Sequence, residues 1–203
     1  MTAKPAAGLR RRLVPILAAV GLLVLPAPAA EKASDRSADY LNSNRQLCQL
    51  LPSDWRPGLI SLGVDKSNYC LTVYYARKPM KQYPVVFGPN PVDDKLRQGD
   101  CCTPEGRFTV LYARPNANWR KFIRIDYPTS ESWTKHQRAK RAGRIPKRAA
   151  IGGMIGIHGV PEGSDDLIDR RVNWTLGCVS LKNHDIDEVY SIVRPGTRVV
   201  IIH

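Results

Sequence analysis

Three times between Leu59 and Gly88 the apolar residues recur at every second position. Ile60, Leu62 and Val64 make the first run, Leu71, Val73 and Tyr75 the second, and Tyr83, Val85 and Phe87 the third. Successive side chains on a strand face opposite ways, so this period buries one face and wets the other. Asp65-Lys-Ser-Asn68 and Lys78-Pro79 interrupt the runs with turn residues, which predicts an antiparallel meander. After the tight turn Thr103-Pro-Glu-Gly106 the pattern resumes over 107–112, and again at Phe122, Ile123 and Ile125. Residues 151–157 are apolar and punctuated by glycine, a buried strand that ends at His158, and 198–202 form a closing strand. Two short helices are expected. One covers 130–142, capped by Ser130 and stopped by Gly143; the other follows an Asn183 cap with Ile186, Val189, Tyr190 and Val193 on one face. The fold class is mixed and β-rich, an α+β domain.

The chain of 203 residues is long enough for one domain with a sizeable core. Residues 1–30 read as a secretory signal, with Lys4, Arg10, Arg11 and Arg12 ahead of the apolar stretch 13–25 and a small-residue cleavage site at 27–30. Residues 31–57 are a polar lead-in whose Leu41, Leu47 and Leu50 are placed to pack on a core, and 58–203 form the main domain. Nothing after residue 30 is apolar enough for a membrane span, so none is expected once the signal is cleaved.

Cleavage removes those four cations and no acid, taking the formal charge from +13 to +9. Most of it lies in residues 120–148, where ten Lys and Arg face only Asp126 and Glu131. A local patch of this kind suits an anionic polymer outside the cytoplasm, and equally a solvated helix face. Export and the lack of a nucleic-acid-binding signature exclude nucleic acid as the partner.

All five cysteines, 48, 70, 101, 102 and 178, enter an oxidising compartment. With Cys178 free, Cys101 and Cys102 are each expected to bridge to Cys48 or Cys70, in either pairing, because a bond between neighbours is strained. The spacings fit no zinc site, and neither metal nor cofactor is expected.

The chemistry is concentrated in residues 155–183. His158 ends an apolar run, and Cys178 follows Gly177 after 19 intervening residues. A thiol nucleophile needs a base nearby and N–H groups facing the developing oxyanion. Gly177 lets the backbone turn so that the N–H groups of Leu176, Gly177 and Cys178 converge, and Gly159 permits close approach beside His158. The second imidazole nitrogen is within reach of a backbone carbonyl in place of an acid. Alone, a cysteine or a histidine reads as a core residue; together, with these glycines, they read as a nucleophile and its base. His136, His184 and His203 have no metal-like spacing and read as surface residues, and Glu105 reads as a solvated turn residue.

On these residues the chain resembles the L,D-transpeptidase (YkuD-domain) family of bacterial cell-wall enzymes. The resemblance spans about 58–203 and rests on the meander, Gly99-Asp100, Thr103-Pro-Glu-Gly106, Ile157-His-Gly159, Thr175-x-Gly-Cys178 and Pro195-Gly-Thr197 with its strand. It implies a β-sandwich-like catalytic domain with short helices, with Cys178 as nucleophile and His158 as base. The implied substrate is a peptidoglycan stem peptide, attacked at the carbonyl of the diamino acid before the terminal D-Ala to give a thioester. Trp174, Thr175 and Ser180 would contact substrate.

Leu176 stands where the family usually has His, and Ser180 where it has Arg or Asn. The Trp-Thr-x-Gly-Cys form resembles a sub-branch with hydrolytic members. The resemblance thus implies a periplasmic transpeptidase that cross-links or remodels the wall and so acts on cell shape. Water as acceptor would make it an L,D-hydrolase (amidase or carboxypeptidase), and a decayed site would leave a wall-binding protein.

Overall fold

The computed structural model describes residues 1–2 and 40–203. The signal assigned to 1–30, and residues 31–39 of the lead-in, lie outside the described residues but for the first two. Among the described residues there are eight strands: β1 Ile60–Asp65, β2 Cys70–Tyr75, β3 Lys78–Pro84, β4 Gly106–Asn116, β5 Arg120–Ile125, β6 Gly156–His158, β7 Val179–Ser180 and β8 Arg198–Ile202. They form one sheet in the order β3-β2-β1-β8-β4-β5-β6-β7. The β1–β8 and β6–β7 pairs are parallel, and the other five are antiparallel.

The sheet folds over on β4. Residues 106–109 of that strand pair with β8, while Val110 onward pairs with β5 across a register shift between Val110 and Tyr112. An irregularity of this kind bends a strand and sharpens its twist. The two halves enclose a common core of Leu62, Val64, Leu71, Val73 and Tyr83 from one side and Val110, Ile123, Ile125, Ile157 and Val179 from the other. The free ends then meet, because Val86, just past β3, exchanges both backbone hydrogen bonds with Ser180 of β7 (3.0 and 2.9 Å).

Among the described residues three α-helices accompany the sheet: α1 Ser130–Arg141, α2 Asp166–Asp169 and α3 Asn183–Ile192. The cap of α1 is Thr129, whose hydroxyl accepts from the Ser132 N–H, and not Ser130, which is already helical. Gly143, at φ +68°, ends the helix as expected. Asn183 is likewise inside α3, and its N–H is capped by Asp165 from the preceding loop, at 2.7 Å. The strand expected over 151–157 shrinks to three residues, because Gly152 (φ +81°) and Met154 (φ +58°) carry the chain away from the sheet in left-handed backbone. In the lead-in, Leu47 is buried and joins the core with Leu51, whereas Leu41 is exposed.

Other expectations change with burial. His136 is buried on the inner side of α1 and donates from Nδ1 to Leu96 O at 2.6 Å. The five thiols are all unpaired. Each sits in its own surroundings: Cys48 is exposed beside Gln46, Cys70 is buried against Thr72, Cys101 is held near Gly99 O, and Cys102 donates to Asp100 O at 3.3 Å.

Glu105, expected to be solvated, accepts from Lys66, whose side chain is wholly buried, at 2.7 Å. The same ammonium donates to Asp93 O (2.9 Å), Val92 O (3.3 Å) and Thr103 O (3.4 Å), so one cation gathers the loop between β3 and β4. Removing one partner of a buried pair strands the other. Lys66→Met is therefore expected to cost about 3 kcal/mol of unfolding free energy, read by urea denaturation.

Candidate active site

His158 and Cys178 are brought together by the parallel β6–β7 pair. Ile157 is registered with Val179 and His158 with Ser180, so Cys178 continues the ladder opposite Gly156. Residues two apart share a face of a strand, which puts the cysteine and the histidine diagonally across one face. Gly156 is the only residue type that fits here, since a Cβ would lie 2.6 Å from Ile123 O and 2.7 Å from the Phe122 ring.

The histidine's tautomer follows from its partner. His158 Nδ1 lies 2.7 Å from Gly159 O. A carbonyl only accepts, so Nδ1 carries the proton and Nε2 keeps a free lone pair. The ring is 2% exposed. It stacks on Trp119 (centroids 4.6 Å, 25°) and Phe122 (6.1 Å, 21°), and Trp174 meets it edge-on at 5.5 Å. Burial lowers its pKa to about 4, against the opposing pull of the Gly159 hydrogen bond, so the imidazole is neutral at pH 7.

Burial also pushes the Cys178 thiol up; the Gly156 backbone and the charges of Arg124 and Lys95 draw it partly back. The thiol donates to Met154 O at 3.6 Å and not to His158. Both partners are thus uncharged in this state, and no thiolate–imidazolium pair is formed in advance.

The turn before Cys178 is braced from within. Thr175 is buried; its hydroxyl donates to Cys178 O (2.8 Å) and accepts from Gly177 N–H (3.2 Å). Gly177 sits at φ +123°, and a Cβ there would lie 2.5 Å from Cys102 O. The Gly159 N–H is bonded to Trp119 O at 3.1 Å. Of the three N–H groups expected to face the oxyanion, that of Gly177 is therefore already engaged, which leaves those of Leu176 and Cys178. The Leu176 side chain is 79% exposed and, with Met154 at 59%, gives the site an apolar rim.

Two of the three residues expected to touch substrate are interior. Ser180 is fully buried and donates to Gly159 O at 3.2 Å, the carbonyl that also holds His158. Thr175 is spent on the turn. Trp174 does wall the site, through its contact with His158. Two residues the sequence did not disclose matter more. Trp119 covers His158, and Arg124, half-buried, binds Ile155 O (3.0 Å) and Tyr127 O (3.2 Å) beneath the loop that meets the thiol.

Arg124 also leaves the basic patch. Arg120 and Lys121 pair with Asp187, and Lys135 with Asp94. The remaining six, Arg138, Lys140, Arg141, Arg144, Lys147 and Arg148, have no ion-pair partner among the described residues and lie on the end of α1 and the loop after it. Among the described residues no group of three or more His, Cys, Asp or Glu is placed to hold a metal, and no helix is long and apolar enough to cross a membrane.

This fold, with a Gly-flanked histidine and cysteine at adjoining strand ends, defines a class. The L,D-transpeptidase catalytic domain (YkuD) profile matches residues 61–201, and the chain belongs to that family. It is 28% identical over 163 residues to the "Probable L,D-transpeptidase YcfS" of Escherichia coli K12, an alignment covering 76% of this chain and 46% of that protein. The chain thus accounts for about half the length of its curated relative. Solved structures sharing the fold include the helical cell shape determining protein Pgp2 of Campylobacter jejuni, at 19% identity. It aligns with a TM-score of 0.50 over 76% of this chain and 53% of that one, and its K307A mutant with 0.52 over 70% and 46%.

Water reaching His158 would relieve the burial that holds its pKa down. Trp119→Ala is accordingly expected to raise the imidazole pKa from about 4 toward 6.5, read by proton NMR of the ring. The sign for stability follows. Between pH 6.5 and 4 the unfolded chain takes up a proton that the folded one refuses, so stability falls as pH drops through this window. The Trp119→Ala variant should lose less over that window than the unsubstituted protein.

Proposed function

We propose that this chain is an exported cysteine L,D-transpeptidase that acts on peptidoglycan stem peptides, with Cys178 as nucleophile and His158 as general base. The observation that carries this reading is the Gly159 carbonyl, which fixes the proton on Nδ1 and leaves Nε2 as a base on the face that bears the thiol. Family membership supports the substrate class.

In the first half-reaction the thiol turns from Met154 O and gives its proton to His158 Nε2 as sulfur attacks the carbonyl of the diamino acid. Because both groups start neutral, proton transfer accompanies attack. The N–H groups of Leu176 and Cys178 face the oxyanion. Collapse expels the terminal D-Ala, whose amine takes the proton back from His158, and leaves a thioester on Cys178. In the second half-reaction His158 deprotonates an incoming amine, which attacks the thioester, forms the new amide and releases the thiol. The six free cations of the α1 end attract anionic wall polymer, and remodelling of the wall would bear on cell shape.

The test is mass spectrometry of muropeptides incubated with the mature protein and a D-amino acid acceptor, with Cys178→Ala alongside. Exchange of the terminal residue or dimer formation, lost by at least 10³-fold in Cys178→Ala, is the expected result. Loss of the terminal residue without exchange would instead assign a hydrolase, and no product would leave a wall-binding protein. With the His158 pKa at about 4, the acid limb of kcat/KM should fall well below pH 6.5, and a limb at the ordinary histidine value would contradict the neutral-pair mechanism.

A further inference from the structure

The outer face of the sheet carries a second feature, with no residue in common with the Cys178 site. A trough of about 670 Å³ crosses β2, β1, β8 and β4. Its plan follows from the register. One rung runs Tyr74, Ser61, Arg198, Thr109, and the next runs Thr72, Gly63, Val200, Arg107. Ser61 and Gly63 make a low floor on β1. The Tyr74 ring leans over Gly63, with Cε2 3.0 Å from where a Cβ would stand, and forms one wall.

Three guanidiniums line the trough, each from a different element: Arg77 from the β2–β3 turn, Arg107 from β4 and Arg198 from β8. None has an ion-pair partner among the described residues. The one acid in the lining, Asp126, accepts from the Thr109 N–H (2.9 Å) and hydroxyl (2.7 Å), both neutral donors. The lining therefore has three positive charges against one negative, in a concave site of the size that holds a small ligand or a peptide segment.

Spacing selects among anions. Arg107 and Arg198 stand on adjacent strands two residues out of register, about 7–8 Å apart by strand geometry. An extended peptide repeats its same-side groups every ~6.8 Å. We propose that this trough is an exosite for an extended peptide bearing carboxylates two residues apart, bound by Arg107 and Arg198 with Tyr74 along its flank. On the reading given above, that peptide is a stem peptide of the wall polymer, held on the outer face while Cys178 works on another.

The test is co-sedimentation of Cys178→Ala protein with purified sacculi, compared with a Cys178→Ala, Arg107→Gln, Arg198→Gln protein. Kd should rise at least tenfold in the latter. Ser61→Trp, which fills the trough without altering charge, should act similarly. Binding should persist on sacculi stripped of phosphate polymers and be lost on sacculi whose carboxylates have been amidated. An unchanged Kd in both trough variants, or binding that disappears with the phosphate polymers, overturns the proposal.

With Cys178 intact, Arg107→Gln, Arg198→Gln should leave kcat/KM on a short soluble stem peptide unchanged. An equal loss there would assign the arginines to the fold or the reaction and overturn the exosite. If no variant and no parent protein turns over any stem peptide, the enzymatic reading fails, while the sedimentation result still decides the trough.

Discussion

Two residue pairs of parallel ladder, Ile157 with Val179 and His158 with Ser180, are the constraint on which the site depends. They convert 19 residues of intervening loop into a fixed diagonal relation between imidazole and thiol. Everything nearby protects that register. Gly156 lets β6 lie close on β5, Gly177 lets the turn before Cys178 lie on the Cys102 carbonyl, and Thr175 ties that turn to itself. Ser180 shares the Gly159 carbonyl with His158, so ladder and imidazole are joined through a single oxygen atom.

Alternation located the first and last strands, but the third run was misplaced: β3 spans Lys78–Pro84, so the expected Lys78-Pro79 turn is strand and Val85 and Phe87 lie beyond it. Ile60, Leu62 and Val64 are buried in turn, as their spacing requires, and β8 falls on 198–202 as read. His158 and Cys178, singled out from their glycine flanks, are brought to one face by the β6–β7 register. What escaped was interaction at long range. Nothing local ties Lys66 to Glu105 across 39 residues, sets Arg124 under the thiol loop, or lays Trp119 on His158. The helix caps were each one residue off, since Thr129 is the cap of α1 and Lys182 that of α3, where Asp165 accepts the Asn183 N–H from outside the segment. The charge count of the patch likewise did not include partners distant in sequence: Asp187 pairs with Arg120 and Lys121, and Asp94 with Lys135.

The electrostatics of the site are those of a dry pocket. Aromatic rings exclude water from His158, and burial disfavours charge on both the imidazole and the thiol. A neutral thiol is a poor nucleophile in solution and reacts only when a base is positioned to take its proton. In this state the thiol's hydrogen bond goes to Met154 O. The exposed Leu176 and Met154 form an apolar rim beside it.

The central position of β8 bears on how the molecule comes into being. Its five residues lie between β1 and β4, paired on one side with a strand that precedes them by more than 130 positions. Until residues 198–202 emerge, the meander and the half-sheet that bears His158 and Cys178 share no ladder, and each presents an unpaired edge. Contacts this distant in sequence are slow to close. Within the domain, therefore, the ladder that joins the two halves of the sheet closes only once β8 is in place.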